Sequence, residues 1–291
     1  VTAHGDDVAV SWEEARAANL ANWDERVAMH VEAYGLDRYR EDPSYLSAVI
    51  RHDLAALATH LPQGVAGLDV CHLQCHIGTD TLSLARAGAT VTGVDFSRPA
   101  LDAAADLAQS LGLDATWVHT DVLSARDAVT AVMGEEAAFD LVYTSIGAIG
   151  WLADLDRWAA QVAALLRPGG LLYLRDGHPA LYALDEEAEG LVTRYRYFPN
   201  GRAQAWDEAT TYVGDGTIAS TRTYEFPHPL SETVNAVLGA GLELLRLDEG
   251  DTLPWRFSEA MVELGDDGFA YPAPLRERVP TTFTVVARKR P

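Results

Sequence analysis

The sequence predicts an α/β fold, a doubly wound and mostly parallel sheet with helices on both faces. Three observations carry this. In Leu68–Ala85 (LDVCHLQCHIGTDTLSLA) an apolar run ends in a tight polar loop, and a helix opens at Gly78–Thr79. Ten residues further on, the β-branched run VTGVDFS closes on a carboxylate, Asp95. From about 65 to 176 the pattern then alternates β-α-β-α-β-α-β-α-β, which implies parallel strands covered on both sides. A strand–loop–helix–strand–acid unit of this kind binds an adenosine-bearing cofactor at the carboxyl ends of its strands.

The elements follow in order. Ser11–Ala33 has polar and apolar residues at helical spacing, with Ser11 as N-cap. Pro43–His60 reads as a second helix, ended by Leu61-Pro62 and the turn at Gly64. Ser97 followed by Pro99 opens the helix after strand two: a hydroxyl cap, then a proline where its missing N–H costs little. HTDV at 119–122 follows strand three, and FDLVYTS at 139–145 forms strand four. Arg167-Pro168-Gly169-Gly170 reads as a helix stop and turn before strand five. From 177 to 229 the helical period is lost, and LVTRYRYF and TIASTRTYEF alternate as an antiparallel cap insertion. Ser231–Ala240 reads as a helix closed by Gly241, Leu242–Leu247 as strand six, and Thr281–Arg288 as a final strand. The expected division is an N-terminal helical lid over 1–64, a cofactor-binding core over 65–176 and 230–291, and a substrate cap over 177–229.

The first loop separates the large cofactor classes. A dinucleotide pyrophosphate needs bare backbone at three glycines, whereas here Gln74, Cys75 and His76 precede Gly78, the one glycine left. A phosphate-free ligand fits better. The ordered motifs resemble class I S-adenosylmethionine-dependent methyltransferases, whose first motif reads roughly D-x-G-x-G-x-G. On that pattern His72 replaces the acid, Gln74 and His76 the first two glycines, and Gly78 is the third. The H-L-Q-C-H-x-G form resembles a subgroup containing many small-molecule enzymes of actinomycetes. The resemblance covers about 65–179 through five motifs in order. It implies a Rossmann-like seven-stranded sheet whose last strand runs antiparallel between strands five and six, and S-adenosyl-L-methionine as cofactor.

In such a sheet Gln74–Gly78, Asp95–Ser97, Asp121–Val122 and Thr144–Gly147 surround one crevice. Asp95 is placed to accept from both ribose hydroxyls, and Phe96 to pack on adenine. Asp121 would accept from the adenine amino group while the Val122 backbone donates to a ring nitrogen. The cofactor carboxylate has two candidate holders, the helix opening near Gly78 and the N-terminal helix. Ser97 reads as the helix cap beside Asp95. His178 in RDGHP leaves strand five at its ligand-facing end, and a neutral imidazole there suits proton removal near neutrality. The competing reading for His178 is a cap on the turn before Pro179. His228 is the second candidate base, with a structural role as the competing reading. Tyr34, Tyr39, Tyr195 or Tyr224 could contribute a phenol, and Arg222 could orient a base. Trp23, Trp151, Trp206 and Trp255 could line an apolar acceptor pocket, although each singly is more often core.

Composition bounds the function. The chain has 291 residues, 48% of them hydrophobic, with a net charge of −21 and two cysteines. A surface this acidic repels phosphate backbones, so no nucleic-acid partner is expected. No run approaches the roughly 18–20 apolar residues of a membrane span, and no signal peptide is seen, so no membrane partner and a reduced, cytoplasmic location are expected. CHLQCH at 71–76 is not a metal site, because Cys71 and His72 are neighbours on a strand and point to opposite faces. A homodimer is compatible with the sequence without being required by it. The reading is methyl transfer to a small, aromatic or heteroaromatic acceptor; the subgroup resemblance includes enzymes that methylate indole carbons in alkaloid and diketopiperazine pathways. The alternatives are an NAD(P)-dependent oxidoreductase and a non-catalytic protein that binds S-adenosylmethionine or a partner.

Overall fold

A computed structural model describes residues 5–135, 137–210, 216–265 and 268–291. The chain enters through a short strand, β1 (Asp6–Val8), and a long helix, α1 (Trp12–Ala33). Ser11 caps α1, its Oγ accepting from the Glu14 N–H at 3.2 Å, and Glu13 and Glu14 oppose the positive end of the helix dipole. A short helix, α2 (Asp37–Glu41), follows with no forewarning in the sequence. α3 (Ala48–Leu57) begins later than the expected Pro43, because Ser47 supplies the cap to Ile50 while Asp42 holds a separate turn through the Ser44 N–H.

The core runs through β2 (Asp69–Leu73), α4 (Thr79–Arg86), β3 (Thr90–Asp95), α5 (Arg98–Leu111), β4 (Thr116–His119), α6 (Ala125–Met133), β5 (Phe139–Thr144), α7 (Leu155–Leu165) and β6 (Leu166–Gly177). Ser97 caps α5 through the Ala100 N–H, with Pro99 in the first turn. At Arg167–Gly170 the expected stop and turn is instead the opening of β6, where register against β5 shifts between Phe139 and Leu141. Gly170 permits this passage, since a Cβ there would lie 2.8 Å from the Phe139 carbonyl oxygen. Beyond lie α8 (Pro179–Tyr182), β7 (Ala203–Asp207), β8 (Arg222–Glu225), α9 (Leu230–Gly239), β9 (Leu242–Gly250), the pair β10 (Val262–Glu263) and β11 (Phe269–Ala270), α10 (Ala273–Arg276) and β12 (Thr282–Lys289).

Seven strands form one sheet in the order β4-β3-β2-β5-β6-β12-β9. The strands from β2 to β6 pair in parallel, and β12 lies antiparallel between β6 and β9. This is the Rossmann-like arrangement with an antiparallel last strand. One face carries a core in which Trp158, Val162 and Phe283 are fully buried beneath α7 and α9. On the other face Ile50 and Leu57 of α3 pack on Val70, Leu141 and Tyr173. Helix α3, although upstream of the first core strand, thus covers the sheet itself.

The insertion is organised differently from its sequence pattern. TIASTRTYEF yields β8, but LVTRYRYF forms only an isolated bridge, Leu184 to Thr193. Residues 211–215 of the expected cap, and 1–4 of the expected lid, lie outside the described residues. The third strand comes from the chain's N-terminal part: β1 pairs antiparallel with β7, giving a second sheet ordered β1-β7-β8. Helix α1 lies against the outer edge of β8. The Asn19 side chain there both donates to the Tyr224 carbonyl and accepts from the Tyr224 N–H, each at 2.8 Å. Asn22 donates to the Ser220 carbonyl at 2.7 Å, and the Glu25 carboxylate accepts from the Ala219 and Ser220 N–H groups.

Beneath the sheet a charge is sealed in. Asp53 of α3 is fully buried. Its Oδ1 lies 2.5 Å from Arg175 Nε and accepts from the Tyr173 hydroxyl at 2.8 Å, while Oδ2 accepts from Tyr143 and from Ser145. An ion pair buried this deeply stabilises only while both partners remain. Asp53→Ala should therefore lower unfolding free energy by about 3–5 kcal/mol, the scale for stranding a buried charge, in a denaturant titration. Pairing it with Arg175→Met should cost clearly less than the sum of the single changes. Additive losses would show that the two side chains do not act as a pair.

Candidate functional site

A cavity of about 580 Å³ opens at the carboxyl ends of β2, β3, β4 and β5, closed above by α1. Its floor is the loop after β2. Gln74 and His76 have φ of 57° and 49°, in the left-handed region that glycines at these motif positions would occupy without strain. Each is held by a side-chain bond. Gln74 Nε2 donates to the Ala148 carbonyl at 2.8 Å, and His76 Nε2 lies 2.7 Å from Nδ1 of His30 on α1. Burial lowers the pKa of His30 to about 4, with Arg26 adding to the effect. Burial and then His30 lower His76 to about 3, so both rings are neutral at physiological pH and one donates to the other. Gly78 lies behind the wall rather than in it: a Cβ there would come within 2.6 Å of Trp117 and 2.8 Å of Ala104. Its place in the motif is required by packing.

Asp95, at the end of β3, is in the wall, with Oδ2 accepting from the His76 N–H at 2.8 Å and Oδ1 from the Ser97 N–H at 2.9 Å. Burial raises its pKa to about 6 against the pull of those N–H groups. Phe96, Ser97, Cys75 and Val122 are in the same wall. Ser97 Oγ also donates to Asp24 of α1 at 2.6 Å. Asp121 lines the cavity while capping its own turn through the Leu123 N–H, and faces Arg16 of α1 at 3.5 Å. Thr144 is fully buried and belongs to neither cavity wall; Ser145, one residue on, takes that place. A strand residue that points into the core cannot also face the crevice.

A second cavity of about 390 Å³ shares Trp23, Ile146, Gly147, Trp151, Trp255 and Arg256 with the first. Trp206 and Tyr195 line it from the insertion, so all four tryptophans singled out in the sequence border one cavity or both. The loop between the cavities is fixed by Asp176, whose carboxylate accepts from the N–H groups of Gly147, Ala148, Ile149 and Gly177 at 2.6–2.9 Å. Nothing in the sequence distinguished Asp176 from its neighbours. His30 was missed for a related reason: it lies on α1, seven residues beyond Trp23 on the same helical face, but remote in sequence from every motif.

The candidate bases separate. His178 is in neither wall. It caps α8, Nδ1 accepting from the Ala180 N–H at 3.1 Å and Nε2 facing Glu249 Oε1 at 3.0 Å, so its ring is turned back onto the strand-exit turn and β9. This corrects the expectation of a base at strand five. Arg222 also lies outside both walls, paired with Asp207 at 2.8 Å and beside Tyr224. Tyr34 lines the first cavity, stacked on His30 with ring centroids 5.2 Å apart. His228 lines the second, its Nε2 donating to the Leu152 carbonyl at 2.6 Å and Nδ1 lying 3.3 Å from Glu232. Among the described residues no cluster of three or more His, Cys, Asp or Glu is arranged to hold a metal, and no helix is long and apolar enough to cross a membrane.

Residues 71–172 match the methyltransferase domain family model. A ubiquinone biosynthesis O-methyltransferase of Chelativorans sp. (strain BNC1) is 27% identical over 224 residues, 74% of this chain and 83% of that protein. A protein of the same description from Brucella ovis is 28% identical over 49% of this chain, which spans 54% of that relative's length. In three dimensions the chain is similar to the 1,6-didemethyltoxoflavin-N1-methyltransferase of Burkholderia thailandensis, with a TM-score of 0.55, 17% identity, and coverage of 99% and 95% of the two chains. Residues 71–172 thus encode a class I methyltransferase domain, and S-adenosyl-L-methionine is the cofactor it uses.

Proposed function

We propose that the chain methylates a small aromatic or heteroaromatic metabolite, with an indole carbon, as in the H-L-Q-C-H-x-G subgroup, as the finest form of that reading. The observation that carries it is the second cavity, which shares a wall of tryptophans with the first and is lined by Tyr195, Trp206 and Phe226 from the insertion. The described residues suit the cofactor. The first cavity has the volume of a nucleoside-sized ligand, with a buried carboxylate at one end and Phe96 beside it. Asp95 would hold the ribose hydroxyls through the lone pairs its two N–H donors leave free. Phe96 and Val122 would enclose adenine, with Asp121 toward its amino group. Gln74, Cys75, His76 and Ser97 complete that wall, and Tyr34 with His30 closes it from α1.

When bound, the cofactor supplies an electrophilic sulfonium methyl. The chain contributes position, water exclusion and a proton acceptor. Asp176, accepting from three consecutive N–H groups, keeps the 147–149 backbone rigid between the two cavities. Trp23, Trp151 and Trp255 exclude water along the shared wall. His228 is the candidate proton acceptor: its Nε2 donates to Leu152 and its buried Nδ1 faces Glu232 at 3.3 Å, so a proton would be taken up by the His228–Glu232 pair. An oxidoreductase reading has no comparable support, because the side chains of Gln74 and His76 stand in the loop where a pyrophosphate would need bare backbone.

Calorimetry should show S-adenosylhomocysteine binding without detectable NAD or NADP binding; tight NADH binding with no response to S-adenosylhomocysteine would sink the reading. Asp95→Ala should weaken S-adenosylhomocysteine by about 1–3 kcal/mol, the scale of hydrogen bonds to a charged group. Burial holds Asp95 near 6, so it is ionised at pH 7.5 and gains its proton as pH falls through that value. Affinity should fall over the same range. Asp80, in the same wall, is also raised to about 6, whereas His30 and His76 titrate well below. Asp95→Asn separates the two carboxyls by flattening the profile if Asp95 is the sensing group.

For the base, His228→Ala should lower kcat by about 10²–10⁴ with S-adenosylhomocysteine affinity kept, the usual contribution of a positioned base. His178→Ala should instead lower the melting temperature and leave kcat near wild type. The opposite pattern, with His178→Ala slow and His228→Ala fast, would return the base to strand five.

A further inference from the structure

The geometry points to a protonated amine as the group by which the acceptor is recognised, its ammonium seated on the inward face of the β7–β8 pair. This rests on the second cavity being the acceptor site. Strand alternation places Gln204, Trp206 and, one residue past β7, Glu208 on one face. Register pairs Gln204 with Glu225 and Trp206 with Thr223, so both strands present the same side to the cavity, and all five residues line it. Gln204 is 6% exposed, and among the described residues its side-chain amide makes no hydrogen bond. A buried amide aimed into a cavity with no protein partner is a group awaiting a ligand.

Charge decides what kind of ligand. Glu186 joins Glu208 and Glu225 in this cavity, with Arg194 acting on Glu186 and Arg26 on Glu225 through space rather than as contact ion pairs. Each of the three bordering arginines has a partner outside the three glutamates, although Arg196 keeps Nε and Nη1 without a hydrogen bond. Arg196 pairs with Asp7, Arg256 with Glu259 at 3.3 Å, and Arg26 lies over the Trp23 ring at 5.5 Å and donates to the Thr210 carbonyl. Asp176 is already met by four N–H groups. Burial and then the neighbouring Glu208 raise Glu225 to about 7, with Trp206 opposing the effect, Glu186 adding to it and Arg26 also opposing it, a repulsion that a bound cation relieves. A neutral acceptor would desolvate these carboxylates without replacing their water, and an anionic one would be repelled. The carboxylates and the Gln204 oxygen are acceptors, which calls for N–H donors, and the Trp206 indole lines the same cavity beside them, whereas the Trp23 and Tyr195 rings already carry Arg26 and Arg194.

The test uses the full chain saturated with S-adenosylhomocysteine and three probes sharing one aromatic body: tryptamine, tryptophol and indole-3-acetate. Tryptamine should bind about tenfold or more tighter than tryptophol, the scale of one charge-assisted hydrogen bond, and indole-3-acetate should not bind. In Glu208→Gln/Glu225→Gln that preference should fall to about threefold or less while S-adenosylhomocysteine affinity holds. Should the double variant fail to fold, Glu208→Gln alone, at the exposed end of the face, should still reduce it. Equal binding of amine and alcohol, preference for the acid, or no tryptamine binding with S-adenosylhomocysteine in place overturns the ammonium site and leaves the methyltransferase reading intact. Failure to bind S-adenosylhomocysteine overturns that reading instead, and the same titration on the free protein then decides the ammonium site.

Discussion

A strand edge can be buried only if its N–H and C=O groups find partners, and here helix α1 supplies them. The free edge of β8 is closed by the amide of Asn19, which both donates to and accepts from Tyr224, and the segment before it by Asn22 and Glu25. This explains an unusual helix face. Asn19, Asn22, Arg26 and His30 are each 7% exposed or less, so polar side chains occupy positions that an ordinary amphipathic helix fills with leucine. Once α1 is fixed by that edge, its other sides follow. Trp23 falls between the two cavities, His30 reaches His76, and Asp24 reaches Ser97 beside Asp95.

The sheet was legible in the sequence because each core strand carries its own signal. Apolar runs such as FDLVYT ended at polar loops, and Ser11 and Ser97 marked helix starts that the structure keeps. The segments expected to form a lid and a cap, 1–64 and 177–229, were less legible in their structure. The polar face of α1 reads as solvent-exposed until its partner strand is known, and a side chain that bonds backbone leaves no pattern in the partner's sequence. LVTRYRYF alternates like a strand, but the neighbour available to β7 was β1, nearly two hundred residues away in sequence, and that pairing has no local signature. His178 failed differently. In the segment RDGHP the imidazole before Pro179 has a backbone N–H within reach two residues on, and that local bond holds it out of the crevice.

The loop after β2 shows what replaces glycine when glycine is absent. Gln74 and His76 adopt the left-handed conformation that costs about 1–2 kcal/mol in a residue with a Cβ. Each gains a side-chain bond that glycine lacks, one to Ala148 in the loop after β5 and one to His30 in α1. Below the loop the indole of Trp117 fills the space left by Gly78 and Gly93; a Cβ at Gly93 would sit 2.4 Å from it. The floor of the first cavity is thus tied upward to α1 and sideways to the 145–149 segment, and neither tie exists in a bare glycine loop, while its packing downward on β4 is of the kind glycine itself permits.

The three-stranded sheet has a consequence for how such proteins diversify. Because β1 precedes the core and β7 and β8 come from an insertion, the sheet whose β7–β8 face borders the second cavity is encoded in two separate stretches. Recombination that exchanges the 177–229 stretch alone would leave Asn19, Asn22 and Glu25 facing a foreign strand edge. Polar groups matched to one backbone would then be sealed against another. If the second cavity holds the acceptor, inheritance of its preference would track both stretches together, and a chimera built between two relatives should in any case take 5–33 and 177–229 from the same parent.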